Sequence, residues 1–117
     1  MNNYINKNIL LDELVEFEIT YNTDLLNLFE ELQQSIDFKY DTILLNNCIN
    51  IIDNMIYESN EYLKSITNNE CKLEYENYII SKNINNLYNA KYKIINYLNL
   101  LNEPDILTDL IDGMNLN

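Results

Sequence analysis

Nucleophilic chemistry in this sequence would depend on Cys48 or Cys71, because thiolates are strong nucleophiles and these are its only cysteines. The 117-residue chain contains no histidine, the commonest base that activates a thiol. Both cysteines lie on predicted apolar faces and form no CxxC motif. We therefore expect two buried structural thiols in a reducing compartment, and we predict no catalytic residue.

Two groups of carboxylates have spacings that suggest metal binding. The first occupies positions i, i+4 and i+7 of the last predicted helix: Asp105, Asp109 and Asp112. The second resembles the acidic ligands of di-metal bundles: Glu13, Glu16, Glu30 and Glu31. Di-metal bundles pair such acids with histidines, which are absent here. The three aspartates are typical of a solvated helix face, and we expect no metal site.

Other recurrent parts of enzyme sites are also absent from the sequence. Its single glycine, Gly113, excludes a glycine-rich loop for phosphate. The chain has no arginine, so no bidentate guanidinium clamp can hold a carboxylate or a phosphate. We accordingly expect a protein that is not an enzyme and uses no cofactor.

Tyrosines alternate with lysines in the second half of the chain, a pattern that can bind single-stranded nucleic acid. The residues concerned are Tyr75, Tyr78, Tyr88, Tyr92 and Tyr97, with Lys82, Lys91 and Lys93. The chain as a whole carries a net charge of −12, which repels phosphates. We expect these tyrosines to lie in the core with hydrated hydroxyls, and we expect no direct binding to nucleic acid.

The acidic residues are concentrated in the first half of the chain. Residues 1–62 carry twelve acids against two lysines, whereas residues 63–102 carry three acids against five lysines. Residues 103–117 add four acids and no lysine. A chain charged in this way is expected to attract a basic partner.

We predict that an acidic face near the N-terminus binds that partner. The candidate residues are Asp12, Glu13, Glu16, Glu18, Asp24, Glu30 and Glu31. Carboxylates on such a face would steer the partner by charge and compete with phosphates for a surface that handles nucleic acid. The sequence thus suggests a small inhibitor or immunity-type factor, in the class of phage or viral anti-defence proteins.

Two alternatives remain open. The first is a helical adaptor, such as a viral host-modulating protein, that binds a partner helix through an apolar groove. The second is a homodimer in which the lysine- and tyrosine-bearing helix of one copy meets the acidic half of another copy.

The expected location is the cytoplasm of a bacterium or of an infected host cell. The residue usage, rich in Asn, Ile, Leu and Tyr, indicates an AT-rich genome. The first eight residues do not resemble a signal peptide, and no segment is long and apolar enough for a membrane span. We therefore expect no membrane association.

Apolar residues in the first third of the chain recur at spacings of three and four, which is one face of a helix. They are Leu14, Phe17, Tyr21, Leu25, Leu28, Leu32 and Ile36. The spacing favours a helix interrupted near residues 22–24, with Thr23 as a helix N-cap. Residues 14–21, "LVEFEITY", also alternate as a strand would.

Longer helices are predicted over residues 42–66, capped by Asp41 or Thr42, and over residues 82–102. Pro104 suits the start of a short last helix, and Gly113 suits the position after its end.

These elements predict an all-α fold, a compact antiparallel bundle of four to six helices in a single domain over residues 1–117. Residues 1–8 are expected to form a frayed N-terminus. The alternative is an α+β fold in which residues 14–21, 35–40 and 71–75 form a small sheet covered by the two long helices.

Overall fold

The part of the chain that the structure describes is an all-α bundle of four helices packed against each other. A computed structural model describes residues 2–67 and 74–102. The helices are α1 (Asn2–Glu16), α2 (Thr23–Gln34), α3 (Phe38–Thr67) and α4 (Glu74–Asn102). The described residues contain no strand, so the alternative α+β fold is wrong for residues 14–21 and 35–40. Residues 71–73 of the third alternating piece and the predicted last helix lie outside the described residues.

Helix α1 ends within the alternating stretch of residues 14–21. The backbone N–H of Phe17 donates to the carbonyl of Leu14 at 3.2 Å, and that of Glu18 donates to Val15 at 3.1 Å. These i to i+3 bonds tighten the end of the helix. Glu18 then adopts a φ of 58°, the left-handed conformation that commonly ends a helix. The stretch is therefore a helix end followed by a turn.

Asn22 caps the start of α2. Its backbone is extended, with φ −80° and ψ 118°, and its side-chain oxygen accepts the N–H of Leu25 at 2.9 Å. The prediction that Thr23 is the cap is wrong by one residue, because Thr23 already belongs to the helix.

Residues 35–37 connect α2 to α3. Helix α3 begins at Phe38, because the side chain of Asp37 accepts the N–H of Lys39 at 3.0 Å. The backbone carbonyl of Asp37 also accepts the N–H of Asp41 at 2.9 Å. The prediction that Asp41 or Thr42 caps this helix is therefore wrong, and Asp41 lies inside the first turn.

The helices pack in a closed order, since α3 contacts α2 and α4, while α1 contacts α2 and α4. Short connections between neighbours make successive helices antiparallel. One cluster of buried side chains fills the centre: Leu10, Leu14, Ile19, Leu25, Phe29, Leu32, Leu44, Leu45, Cys48, Ile52, Met55, Ile56, Leu87, Ala90, Ile94, Tyr97 and Leu98. Every helix contributes to this core.

The prediction of a single apolar face over the first third of the chain is correct only within α1 and α2. Leu14, Leu25 and Leu32 are fully buried, whereas Tyr21 and Ile36 are exposed in the connections. The helical register ends at Glu16, so the residues that follow do not continue the same face.

Helix α1 begins at Asn2, within residues 1–8, for which the sequence predicts a frayed N-terminus. The side chain of Lys7 is buried and donates to Asp41 of α3 at 3.1 Å. It also donates to the backbone carbonyl of Ser35 at 2.6 Å. These contacts attach the first helix to the rest of the bundle.

Candidate protein-binding groove

An open groove of about 600 Å³ lies between α1 and α2. It is lined by Asn8, Leu11, Asp12, Val15, Leu26, Phe29, Glu30 and Gln33. Each helix contributes four residues at positions i, i+3, i+4 and i+7, which is the spacing of one helix face. We call this surface the α1–α2 groove.

Because α1 and α2 are antiparallel, the two ends of the groove are lined by different kinds of side chain. Val15 and Leu26 lie at the end nearest the connecting turn, because they are closest to it in sequence. Asn8 and Gln33 lie at the opposite end, close to the level at which Lys7 donates to the carbonyl of Ser35. The groove therefore runs from an apolar end to an end with amide side chains.

The floor of the groove includes apolar surface that the fold does not bury. Phe29 is buried and Leu11 is partly buried, but Val15 is 56% exposed and Leu26 is 38% exposed. Single exposed apolar residues are common on protein surfaces. Here two of them share one concave surface, which is the arrangement found at binding sites.

Three of the seven predicted acidic residues lie at this groove or beside it. Asp12 lines the wall formed by α1, and Glu30 lines the wall formed by α2. Both side chains are exposed. Glu16 follows Asp12 by one helical turn and so lies on the same side of α1. In the described part of the chain, no lysine pairs with any of these three carboxylates.

Glu13 faces a different neighbour. Its carboxylate lies 2.9 Å from the ammonium group of Lys93 on α4. A second lysine of α4, Lys91, lies 2.7 Å from Asp53 of α3, and this hydrogen bond is the main cause of the raised pKa of Lys91. Two lysines of α4 therefore pair with acidic residues of the same chain, which reduces the positive charge that α4 offers to a second copy.

The remaining three predicted acids are not among the residues that line the groove. Glu18 lies in the turn after α1, and Asp24 lies in the first turn of α2, where the helix dipole favours a negative charge. Glu31 accepts a hydrogen bond from the hydroxyl of Tyr40 at 3.2 Å. That hydrogen bond and the adjacent negative charge raise the pKa of Tyr40.

Cys48 is fully buried in the core, as the apolar spacing predicted. Burial raises the pKa of its thiol to about 12, so the side chain stays protonated near neutral pH. Cys71 lies outside the described residues. In the part of the chain that the structure describes, no group of three or more cysteines and carboxylates could hold a metal ion. Asp105, Asp109 and Asp112 are not among the residues described.

The prediction that the tyrosines of α4 lie in the core is correct only for Tyr97. Tyr75, Tyr78, Tyr88 and Tyr92 are exposed. The core side of α4 carries Leu87, Ala90 and Ile94 instead, so the four tyrosines point to the outside. The rings of Tyr88 and Tyr92 stack on that outer face, with centroids 6.3 Å apart and planes at 25°.

The predicted acidic residues include the two carboxylates that line the groove, but the apolar residues of its floor were not predicted from the sequence. The signal was present, because residues 8, 11, 12 and 15 repeat the spacing of residues 26, 29, 30 and 33. Leu26 and Phe29 alone would not have shown it, since the same spacing also describes side chains that pack into a core.

Among the described helices, none is long and apolar enough to cross a membrane. No family model matches the chain, and neither do curated proteins or solved structures.

Proposed function

We propose that this protein is a protein-binding factor that attaches to a basic partner through the acidic surface of α1 and α2. The observation that supports this proposal is the distribution of ion pairs. Asp12, Glu16 and Glu30 have no cationic partner among the described residues, although lysines of the same chain pair with other acids. Exposed carboxylates on a chain of net charge −12 attract a basic protein over several ångströms before contact.

The consequence for the partner depends on what its basic surface normally binds. If that surface handles nucleic acid, the carboxylates occupy the positions of phosphates and exclude the nucleic acid. The protein would then act as an inhibitor or immunity-type factor, as proteins of the phage and viral anti-defence class do. This role requires no catalytic residue.

The proposal is tested by capture from the organism that carries the gene, at low salt, on the immobilised full-length protein. Three forms are compared: the wild type, a variant with Asp12→Asn, Glu16→Gln and Glu30→Gln, and a control with Glu58→Gln, Glu74→Gln and Glu76→Gln. The two variants have the same net charge, and the control changes lie on α3 and α4. We expect the first variant alone to lose the captured partner.

The purified partner is then titrated at increasing salt. Charge-driven binding weakens by about tenfold or more when salt screens the contact. Nucleic acid should displace this protein from the partner, and this protein should displace nucleic acid from the partner. Affinity that is the same at low and high salt, or equal loss in both variants, would contradict the proposal.

A helical adaptor is the second candidate, and the exposure of Val15 and Leu26 in the α1–α2 groove favours it. An adaptor that binds mainly through apolar contact would keep its affinity at high salt. The salt titration therefore separates the two candidates.

A further inference from the structure

We infer that the α1–α2 groove binds a single amphipathic helix of the partner, with its apolar side on the floor and lysines or arginines against both walls. This inference rests on the proposed function and specifies the partner. The binding element of the partner is then a helix with a defined pattern of apolar and basic residues, and not a flat basic surface.

The length of the groove sets the length of the contact. The lining residues of α1 extend from Asn8 to Val15, which is about 10 Å along a helix axis at 1.5 Å per residue. Two turns of a partner helix cover this distance. Apolar side chains at positions i, i+3 or i+4, and i+7 would then contact Leu11, Val15 and Leu26.

The walls of the groove specify the charges of the bound helix. Asp12 belongs to one wall and Glu30 to the other, and the antiparallel course of α1 and α2 places them at a similar level. A helix lying between them therefore meets a carboxylate on each side of its apolar stripe. Lysine or arginine on both flanks satisfies these carboxylates while they stay partly hydrated, which avoids the cost of burying a charge.

Two other occupants fit the charges less well. Residues 103–117 contain apolar side chains but carry four acids and no lysine, so the walls would repel them. A second copy carries the same net charge of −12, and its Lys91 and Lys93 already pair with Asp53 and Glu13. Charge complementarity therefore favours a basic helix from a different protein.

The test uses two synthetic peptides of identical composition, made only of leucine and lysine, and the full-length protein. In the first peptide the leucines follow the i, i+3, i+4, i+7 pattern, and in the second they are distributed around the helix. Binding is measured by titration calorimetry at low salt. We expect the patterned peptide to bind about tenfold or more tightly, which corresponds to about 1.4 kcal/mol.

Two variants of equal net charge localise the site. Val15→Asn with Leu26→Asn makes the floor polar, whereas Ile43→Asn with Leu100→Asn changes exposed apolar residues of α3 and α4. Val15 and Ile43 are equally exposed, at 56%. We expect the floor variant to lose about tenfold in affinity for the patterned peptide and the control variant to stay within about twofold of wild type. Circular dichroism checks that both variants keep their helices.

Each other outcome overturns the inference in a distinguishable way. Equal binding of both peptides that weakens with salt and with Asp12→Asn and Glu30→Gln would leave the proposed function standing without a helix-specific groove. Failure of both peptides to bind would overturn the inference alone, because the proposed function is tested separately by the capture of a partner protein. A dimer of the protein alone that dissociates in the floor variant would identify a second copy as the occupant. Tighter peptide binding after Leu107→Asn and Leu110→Asn would identify residues 103–117.

Discussion

The ammonium group of Lys7 lies 3.1 Å from Oδ2 of Asp41, and both side chains are almost completely buried. The same ammonium group donates to the backbone carbonyl of Ser35 at 2.6 Å. Ser35 follows the C-terminus of α2, where carbonyl groups favour a cation, and Asp41 lies in the first turn of α3, which favours an anion. One side chain of α1 thus joins the adjacent ends of two other helices and fixes one end of the α1–α2 groove.

The first prediction concerns the removal of one member of this pair. Lys7→Met leaves the Asp41 carboxylate buried without its cation and should lower the free energy of unfolding by about 3–5 kcal/mol. Urea unfolding followed by circular dichroism measures the change. Replacement of exposed Lys82 by Met serves as the control and should change stability by less than about 0.5 kcal/mol.

The double replacement Lys7→Met with Asp41→Leu separates the cost of an isolated buried charge from the value of the pair. Apolar side chains of similar volume often replace a buried ion pair without loss. The double variant should therefore be more stable than Lys7→Met alone. If the two single losses simply add in the double variant, the two side chains are not energetically coupled.

The second prediction concerns the left-handed backbone of Glu18. A side chain at a φ of 58° costs about 1 kcal/mol relative to glycine, which adopts this conformation without steric conflict. Glu18→Gly should raise the free energy of unfolding by about 0.5–1 kcal/mol, after the entropic cost of glycine in the unfolded chain. Glu18→Gln removes the same charge but keeps the side chain, so it should give a smaller gain. Equal gains in both variants would assign the effect to charge.

The two long helices follow from the local pattern of the sequence, whereas the start of α3 does not. The spacing of apolar residues in 42–66 and 82–102 predicted the two long helices, which the structure extends to Phe38–Thr67 and Glu74–Asn102. The start of α3 was misplaced because Asp37, Asp41 and Thr42 are all residues that can cap a helix. Asp41 is instead buried by its pairing with a lysine 34 positions away, and no local pattern reveals such a contact.

The candidate site was predictable only in part for a similar reason. Charge counts identified a negative first half, but they could not distinguish Asp12 from Glu13, which are adjacent in sequence. Asp12 lines the groove, while Glu13 pairs with Lys93 of α4. The distinction arises from which face of α1 meets α4, and that is decided by tertiary packing.

The third prediction uses this contrast between adjacent carboxylates. Asp12 lies one helical turn before Glu16 on α1, so Asp12→Asn relieves like-charge repulsion and should stabilise the fold by about 0.2–0.5 kcal/mol. Glu13→Gln removes the attraction of Lys93 and should destabilise it by about 0.2–1 kcal/mol. Urea unfolding at low salt measures both changes, and added salt should shrink them. Shifts of the same sign in the two variants would contradict the assignment of the two faces.

The fourth prediction concerns pH and the buried thiol of Cys48, tested in a Cys71→Ser background so that one thiol remains. Its pKa rises on folding from the ordinary value of 9.0 to about 12, because burial disfavours the thiolate. Between these values the unfolded chain releases a proton that the folded chain retains. Stability contributed by the protonated thiol is therefore complete below pH 9 and is lost as the pH rises towards 12.

Cys48→Ala removes this titration and should cost about 1 kcal/mol near neutral pH through lost packing. The unfolding free energy of the thiol-bearing protein relative to Cys48→Ala should then fall by about 1.4 kcal/mol between about pH 8 and about pH 10, and so change sign, because only the thiol-bearing chain gains by ionising when unfolded. Urea unfolding at several pH values measures this difference. All other titratable groups are common to both proteins, so their contributions to the difference cancel. A difference that stays constant over this range would show that the Cys48 thiol ionises equally well in the folded protein.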